Sequence, residues 1–186
     1  MSLTEKQNLL PNSNPPPRRP VLPRLHPTIE ILQAIQNEDI IHDSILQSLA
    51  YYGVERNWQA VWIIADALKR EVSLLFDNQG LVWVDIGNRG MVRLSPPLGS
   101  QLPLRLWVHT HPLTAYWSPT DRRTLGSVSG ILEEALVLGN DHFVRTLHID
   151  SISDNENEQR LADEGPLLHW TDEDSVTYQS IMSSQS

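Results

Sequence analysis

The sequence predicts an α/β domain in which a curved mixed β-sheet is flanked by helices. Three observations carry that prediction. Short apolar runs with period-2 alternation, separated by turn signals, recur through the middle of the chain and read as strands. Segments with apolar residues spaced at threes and fours precede and follow them and read as helices. At residues 104–121, LRLWVHTHPLTAYWSPTD, a strand pattern passes through a short loop into a helix start. A chain of 186 residues suffices for one domain with its own core, plus tails.

Residues 1–27 are rich in Pro, Asn and Ser, and Pro15, Pro16, Pro17, Pro20 and Pro23 favour extended polyproline conformation or disorder. This stretch reads as a solvated tail outside the domain, the alternative being an arm that docks into a partner's aromatic groove. In 28–52, Ile29, Ile31, Leu32 and Ile35, then Ile45, Leu46 and Leu49, predict one or two helices with a break at 37–39. Asn57 reads as an N-cap, and Trp58, Val61, Trp62, Ala65 and Leu68 suit an amphipathic helix to about Lys69. Residues 60–64 suit a buried strand equally well. Glu71 opens a strand over 72–76, Asp77-Asn78-Gln79-Gly80 signals a hairpin turn, and 81–86 returns. Asn88-Arg89-Gly90 marks a further turn, with a short strand over 91–94. Pro96, Pro97 and Pro103 make 95–103 a loop.

Leu104, Leu106 and Val108 then alternate with Arg105, Trp107 and His109 in a strand that Pro112 stops, because proline has no N–H to give to a ladder. Ser118 reads as an N-cap with Pro119 at the first helical position. The helix runs to 133 or 134, with Leu125, Val128, Ile131 and Leu132 apolar, and is weakened by Gly126, Ser127, Ser129 and Gly130. Residues 135–138 read as a buried strand, Gly139-Asn140-Asp141 as a turn and 142–149 as the partner strand. The acidic stretch 150–164 reads as a surface loop and 166–170 as a last short strand. Residues 171–186 form a Ser-rich, mostly disordered tail, so the domain is expected to span 28–170.

Composition narrows the function classes. Cysteine is absent, which leaves no disulfide framework and no thiolate metal site, and fits a reducing, cytoplasmic compartment. The formal net charge of -9 disfavours binding to a phosphate backbone. No apolar run approaches a membrane span, and the N-terminal residues lack a basic region followed by an apolar core, so neither a membrane segment nor a secretory signal is expected.

The chemistry gathers at 109–121. Side chains two apart on a strand share a face, so His109 and His111 project together while Thr110 points away. Asp121 falls in the first turn of the following helix. A strand end and a helix start thereby bring two imidazoles and a carboxylate to one point. Zinc takes N and O ligands of this kind, and three protein ligands leave a fourth position open for water. His42, His142, His148 and His169 read as surface or strand positions rather than ligands. Trp107, Tyr116 and Trp117 flank the motif as groove or as core.

His109-Thr110-His111-Pro112 followed by Ser118 and Asp121 resembles the zinc motif of the JAMM/MPN+ metalloproteases, in their prokaryotic form. That family includes deubiquitinating subunits of the proteasome lid, endosomal deubiquitinases and many bacterial and archaeal relatives. Its pattern is His-x-His-Pro, a short loop, Ser-x-x-Asp, and a Glu upstream on another strand. The interval from His111 to Ser118 is shorter here than the family's usual one. So is that from Glu71 to His109, where other members carry a crossover helix and Pro96, Pro97 and Pro103 leave no room for one.

The resemblance implies an MPN/JAB, cytidine-deaminase-like fold, with Zn²⁺ on His109, His111 and Asp121. It also implies Glu71 as general base and Ser118 as oxyanion donor. Glu71 has the family's setting, after a helix and before an apolar strand; Glu55, in a turn, is the rival base. The implied reaction is hydrolysis of an isopeptide or peptide bond at the C-terminal tail of a ubiquitin-like or sulfur-carrier protein. Two other readings are a catalytically silent MPN scaffold, a type that usually lacks the ligands, and a RadC-like DNA-repair-associated protein. The acidic charge and the lack of a helix-hairpin-helix signal argue against the last.

Overall fold

The computed structural model describes residues 18–87, 94, 96–150 and 159–179. Three helices come first: α1 (Thr28–Gln36), α2 (Asp43–Val54) and α3 (Trp58–Leu68). The break between α1 and α2 falls where Glu38 adopts a left-handed conformation, φ 58°. His42 caps α2, its Nδ1 accepting the Ser44 N–H at 3.2 Å. Asn57 caps α3, its Oδ1 accepting the Ala60 N–H at 3.2 Å. Residues 60–64 are therefore helical, and Val61, Ile64, Ala65 and Leu68 line one buried face. Lys69, also left-handed at φ 55°, ends α3 and turns the chain into the sheet.

Six strands form that sheet: β1 (Val72–Phe76), β2 (Val82–Ile86), β3 (Leu106–Thr110), β4 (Glu134–Leu138), β5 (His142–Leu147) and β6 (Asp174–Thr177). Their order is β2-β1-β3-β4-β5-β6. Every neighbouring pair is antiparallel except β3 and β4, which run parallel and are joined through helix α4 (Pro119–Val128). The sheet is thus mixed, as the sequence predicts. Helices α1–α3 pack on one face over Leu74, Leu106, Val108 and Leu136. On the other face α4 packs over Leu75, Trp107, Ala135 and Val137. The period-2 alternation of β3 divides its side chains between these two cores, so the strand is buried on both faces. Buried Asp77 ties the β1–β2 turn together: Oδ1 accepts the Gln79 and Leu81 N–H groups, and Oδ2 accepts that of Gln101.

The structure corrects several expectations. Helix α4 stops at Val128, not at 133 or 134, because Gly130 takes φ 89° and turns the chain out of the helix. Residues 166–170 form no strand; Gly165–His169 is a 3₁₀ helix, after which Trp170 is buried and bridges to His148. Strand β5 ends at Leu147. The fold passes the boundary expected at 170: β6 pairs with β5, and the Tyr178 hydroxyl donates to the Gly139 carbonyl at 2.7 Å. The arm is not wholly outside the domain either. The Val21 N–H donates to the Val82 carbonyl at 2.7 Å, Arg18 pairs with Asp85, and His26 Nε2 lies 2.9 Å from Gln47 Oε1. In the acidic stretch, Leu161 is buried and Arg160 bridges to Thr171. The turn at 88–90 and the strand expected after it fall largely outside the described residues. Among the described residues no helix is long and apolar enough to cross a membrane.

Candidate metal centre

The C-terminal end of β3 lies at the middle of the sheet, where parallel packing against β4 leads into the crossover through α4. Ligand sites of α/β sheets form outside such strand ends. His109 is the fourth residue of β3, and His111 follows its last residue. Two neighbours hold the His111 backbone: its N–H donates to the Leu138 carbonyl at 2.8 Å, and its carbonyl accepts the Trp62 indole N–H at 2.8 Å. Trp107, on the same face of β3, stacks on His109 with ring centres 4.4 Å apart and planes at 18°.

Helix α4 brings the carboxylate. The Ser118 hydroxyl accepts the Asp121 N–H at 3.2 Å, while Asp121 Oδ2 accepts the Ser118 N–H at 2.9 Å and its hydroxyl at 2.6 Å. This is a capping box with an aspartate at the third helical position. It aims the carboxylate at both imidazoles: Oδ1 lies 3.1 Å from His109 Nε2 and Oδ2 lies 3.3 Å from His111 Nε2. One ligand atom from each of the three residues falls within 4.8 Å of the others, the one such group of His, Asp or Glu among the described residues.

The surroundings suit a cation. His109 is 1% exposed and Asp121 6%. Neither ring nitrogen of His109 makes a hydrogen bond among the described residues, since the approach to Asp121 Oδ1 is close but poorly aligned. Burial pushes the His109 pKa down, keeping the imidazole neutral. Burial alone would raise Asp121, but its contacts with His109, His111 and Ser118 outweigh that and hold it well below the usual carboxylate range. Two imidazoles facing a carboxylate, one of them with its ring nitrogens unpartnered, can hold a metal ion.

Glu71 is buried but does not belong to the converging group. It lines a cleft of about 310 Å³ together with Trp62, Ala65, Thr110, His111 and Pro112. The Val72 N–H donates to Thr110 Oγ1 at 2.9 Å, tying the residue after Glu71 to the residue before His111. Glu55 is exposed at the end of α2 and lines no part of this cleft. Ser118 is the helix cap, and its hydroxyl is engaged with Asp121. Trp107 and Trp117 belong to the core, whereas Tyr116 is exposed with its ring edge-on to His111 at 4.8 Å. His42, His142, His148 and His169 lie outside the converging group. Trp62, Thr110 and Gly139 were not marked by the sequence as site residues. Only their contacts, each across more than twenty residues of chain, reveal them. Comparison of the chain with protein-family models, curated proteins and solved structures returns no match.

Proposed function

We propose that this protein is a zinc-dependent amide hydrolase of the JAMM/MPN+ type, acting at the C-terminal tail of a ubiquitin-like or sulfur-carrier protein. The observation that supports it most is the shared cleft: a buried carboxylate, Glu71, lies in one cavity with His111 of the converging His–His–Asp group. His109, His111 and Asp121 would hold the ion. Zinc bound by them supplies a Lewis acid and lowers the pKa of water to about 7. Glu71 takes a proton from the attacking water and delivers it to the nitrogen of the leaving amine. Ser118 holds Asp121 in place; to stabilise an oxyanion as well, its hydroxyl must turn from Asp121 Oδ2. The choice of a ubiquitin-like tail rests on the resemblance of the motif. An extended tail is also the form in which peptides bind beside sheets.

Metal content by mass spectrometry, with cleavage of a ubiquitin-like fusion as the assay, tests the reading. Glu71→Gln should keep zinc and fold yet lose roughly 10²–10⁴ in turnover, the usual worth of a general base. His111→Ala should lose metal and activity together, and Glu55→Gln should change neither. Wild-type activity that survives complete removal of zinc rejects the mechanism. A zinc-loaded protein with no turnover on any amide points to the scaffold reading instead.

A further inference from the structure

We infer that the cleft beside the His–His–Asp group is a specificity pocket for one apolar side chain adjoining the scissile amide, with Trp62 as the residue that sets the choice. The inference rests on the amide-hydrolase reading above and names the substrate feature that reading leaves open. At about 310 Å³ the cleft sits at the small end of ligand pockets and admits a single large side chain rather than a folded ligand. Its polar lining is largely engaged within the protein. The Trp62 indole N–H is held by the His111 carbonyl, and the Thr110 hydroxyl accepts the Val72 N–H. Lys69 Nζ is paired with Asp66 Oδ1 at 3.0 Å, and Arg70 donates to the Gly87 carbonyl at 3.3 Å. Apart from the Glu71 carboxylate and the His111 ring, which face the reacting bond, what these contacts leave for a ligand is mainly the carbon surface of Trp62, Ala65 and Pro112.

A polar side chain entering here would give up water and find few partners, which costs free energy. A cationic one that paired with Glu71 would occupy the base and block proton transfer. An aliphatic or aromatic side chain meets neither obstacle and gains by leaving water. Glu71 and His111 both line the pocket, so a side chain inside it belongs to a residue next to the bond being cut; successive Cα atoms are only about 3.8 Å apart. The anchored N–H fixes the orientation of the Trp62 ring, making it a wall of set shape. Because the same indole holds the carbonyl of His111, occupancy of the pocket and the position of that imidazole pass through one side chain.

Two measurements on the zinc-loaded full chain test this. In the first, N-acetyl-leucinamide and N-acetyl-glycinamide are titrated while the Trp62 indole N–H resonance, assigned by its loss in Trp62→Phe, is followed by NMR. The leucine amide should shift it saturably, and the glycine amide should not. In the second, peptides randomised around a cleaved bond are digested and the products sequenced by mass spectrometry. Leu, Ile, Met or Phe should be favoured over Gly and Asp at one position adjoining the cut by about tenfold or more. Trp62→Phe should retain that preference and lower kcat more than it changes KM. Trp62→Ala should move the preference to larger side chains. Cleavage with no apolar preference and no response at Trp62 overturns the pocket while leaving the hydrolase reading intact. Saturable leucine-amide binding without cleavage of any peptide does the reverse. Should Trp62→Ala fail to fold, Trp62→Phe and the titration still decide.

Discussion

Asp121 shows how much one side chain carries here. Its Oδ2 closes the cap of α4, and its two oxygens face two imidazoles. The cap and the imidazole group are therefore one arrangement, with Ser118 joined to it through Asp121. Ser118→Ala should cost about 1 kcal/mol of stability, the usual worth of a cap, read from the denaturant midpoint. If the hydroxyl also stabilises an oxyanion, kcat should fall by a further ~10²–10³ with zinc still bound. An alanine variant with unchanged kcat confines Ser118 to the cap. At this scale the sequence was readable where local rules fix direction. The strand period sends His109 and His111 to one side, and the capping rule places Asp121 in the first turn. It was silent on Trp62, because a contact between residues 49 apart leaves no periodic trace.

Between elements, the turn joining β4 to β5 supports the loop that joins β3 to α4. Gly139 packs so tightly under that loop that a Cβ there would lie 2.5 Å from the Ala115 nitrogen and 2.8 Å from the Leu113 carbonyl oxygen. The Asn140 N–H also donates to that carbonyl at 2.8 Å. Gly139→Ala should thus push residues 113–117 outward and draw Ser118 and Asp121 away from the imidazoles. The expected result is about 1–3 kcal/mol of destabilisation, as for overpacking, together with weaker binding of the metal proposed for the His–His–Asp group. Thermal unfolding and competition with a chelator measure the two. Unaltered metal affinity in the folded variant would show that the loop moves independently of the proposed centre. The sequence marks Gly139 as a turn residue, which it is, but not the backbone that passes over it. It also overextends α4, since Ile131 and Leu132 keep the apolar spacing after Gly130 has ended the helix.

For the molecule as a whole, composition is a poor guide to where the fold stops. Pro-rich and Ser-rich stretches read as tails, yet residues 18–27 lie along the domain and 174–178 complete the sheet and its packing. Backbone pairing needs no apolar residue, so composition does not report it. A chain limited to 28–170 should unfold at lower denaturant than one spanning 18–179, because it loses β6, the buried Tyr178 ring and the bond to Gly139. Tyr178→Phe isolates the last of these and should cost about 1 kcal/mol. Equal midpoints for the two chains would mean that both terminal segments rest on the domain without stabilising it.

The contact between Val21 and Val82 bears on solubility as much as on stability. β2 is the first strand in the order of the sheet, and unpaired carbonyl and amide groups at such a margin invite another copy of the chain to pair there. The segment carrying Val21 covers that margin, and with Pro20 and Pro23 lacking N–H groups it cannot readily serve as a template itself. The opposite margin, β6, is short and carries Asp174, a charge that resists pairing. On this reasoning residues 18–27 would hinder pairing of a second copy along β2. A chain beginning at Thr28 should show an apparent mass by light scattering that rises with concentration, while its circular dichroism still reports a folded domain.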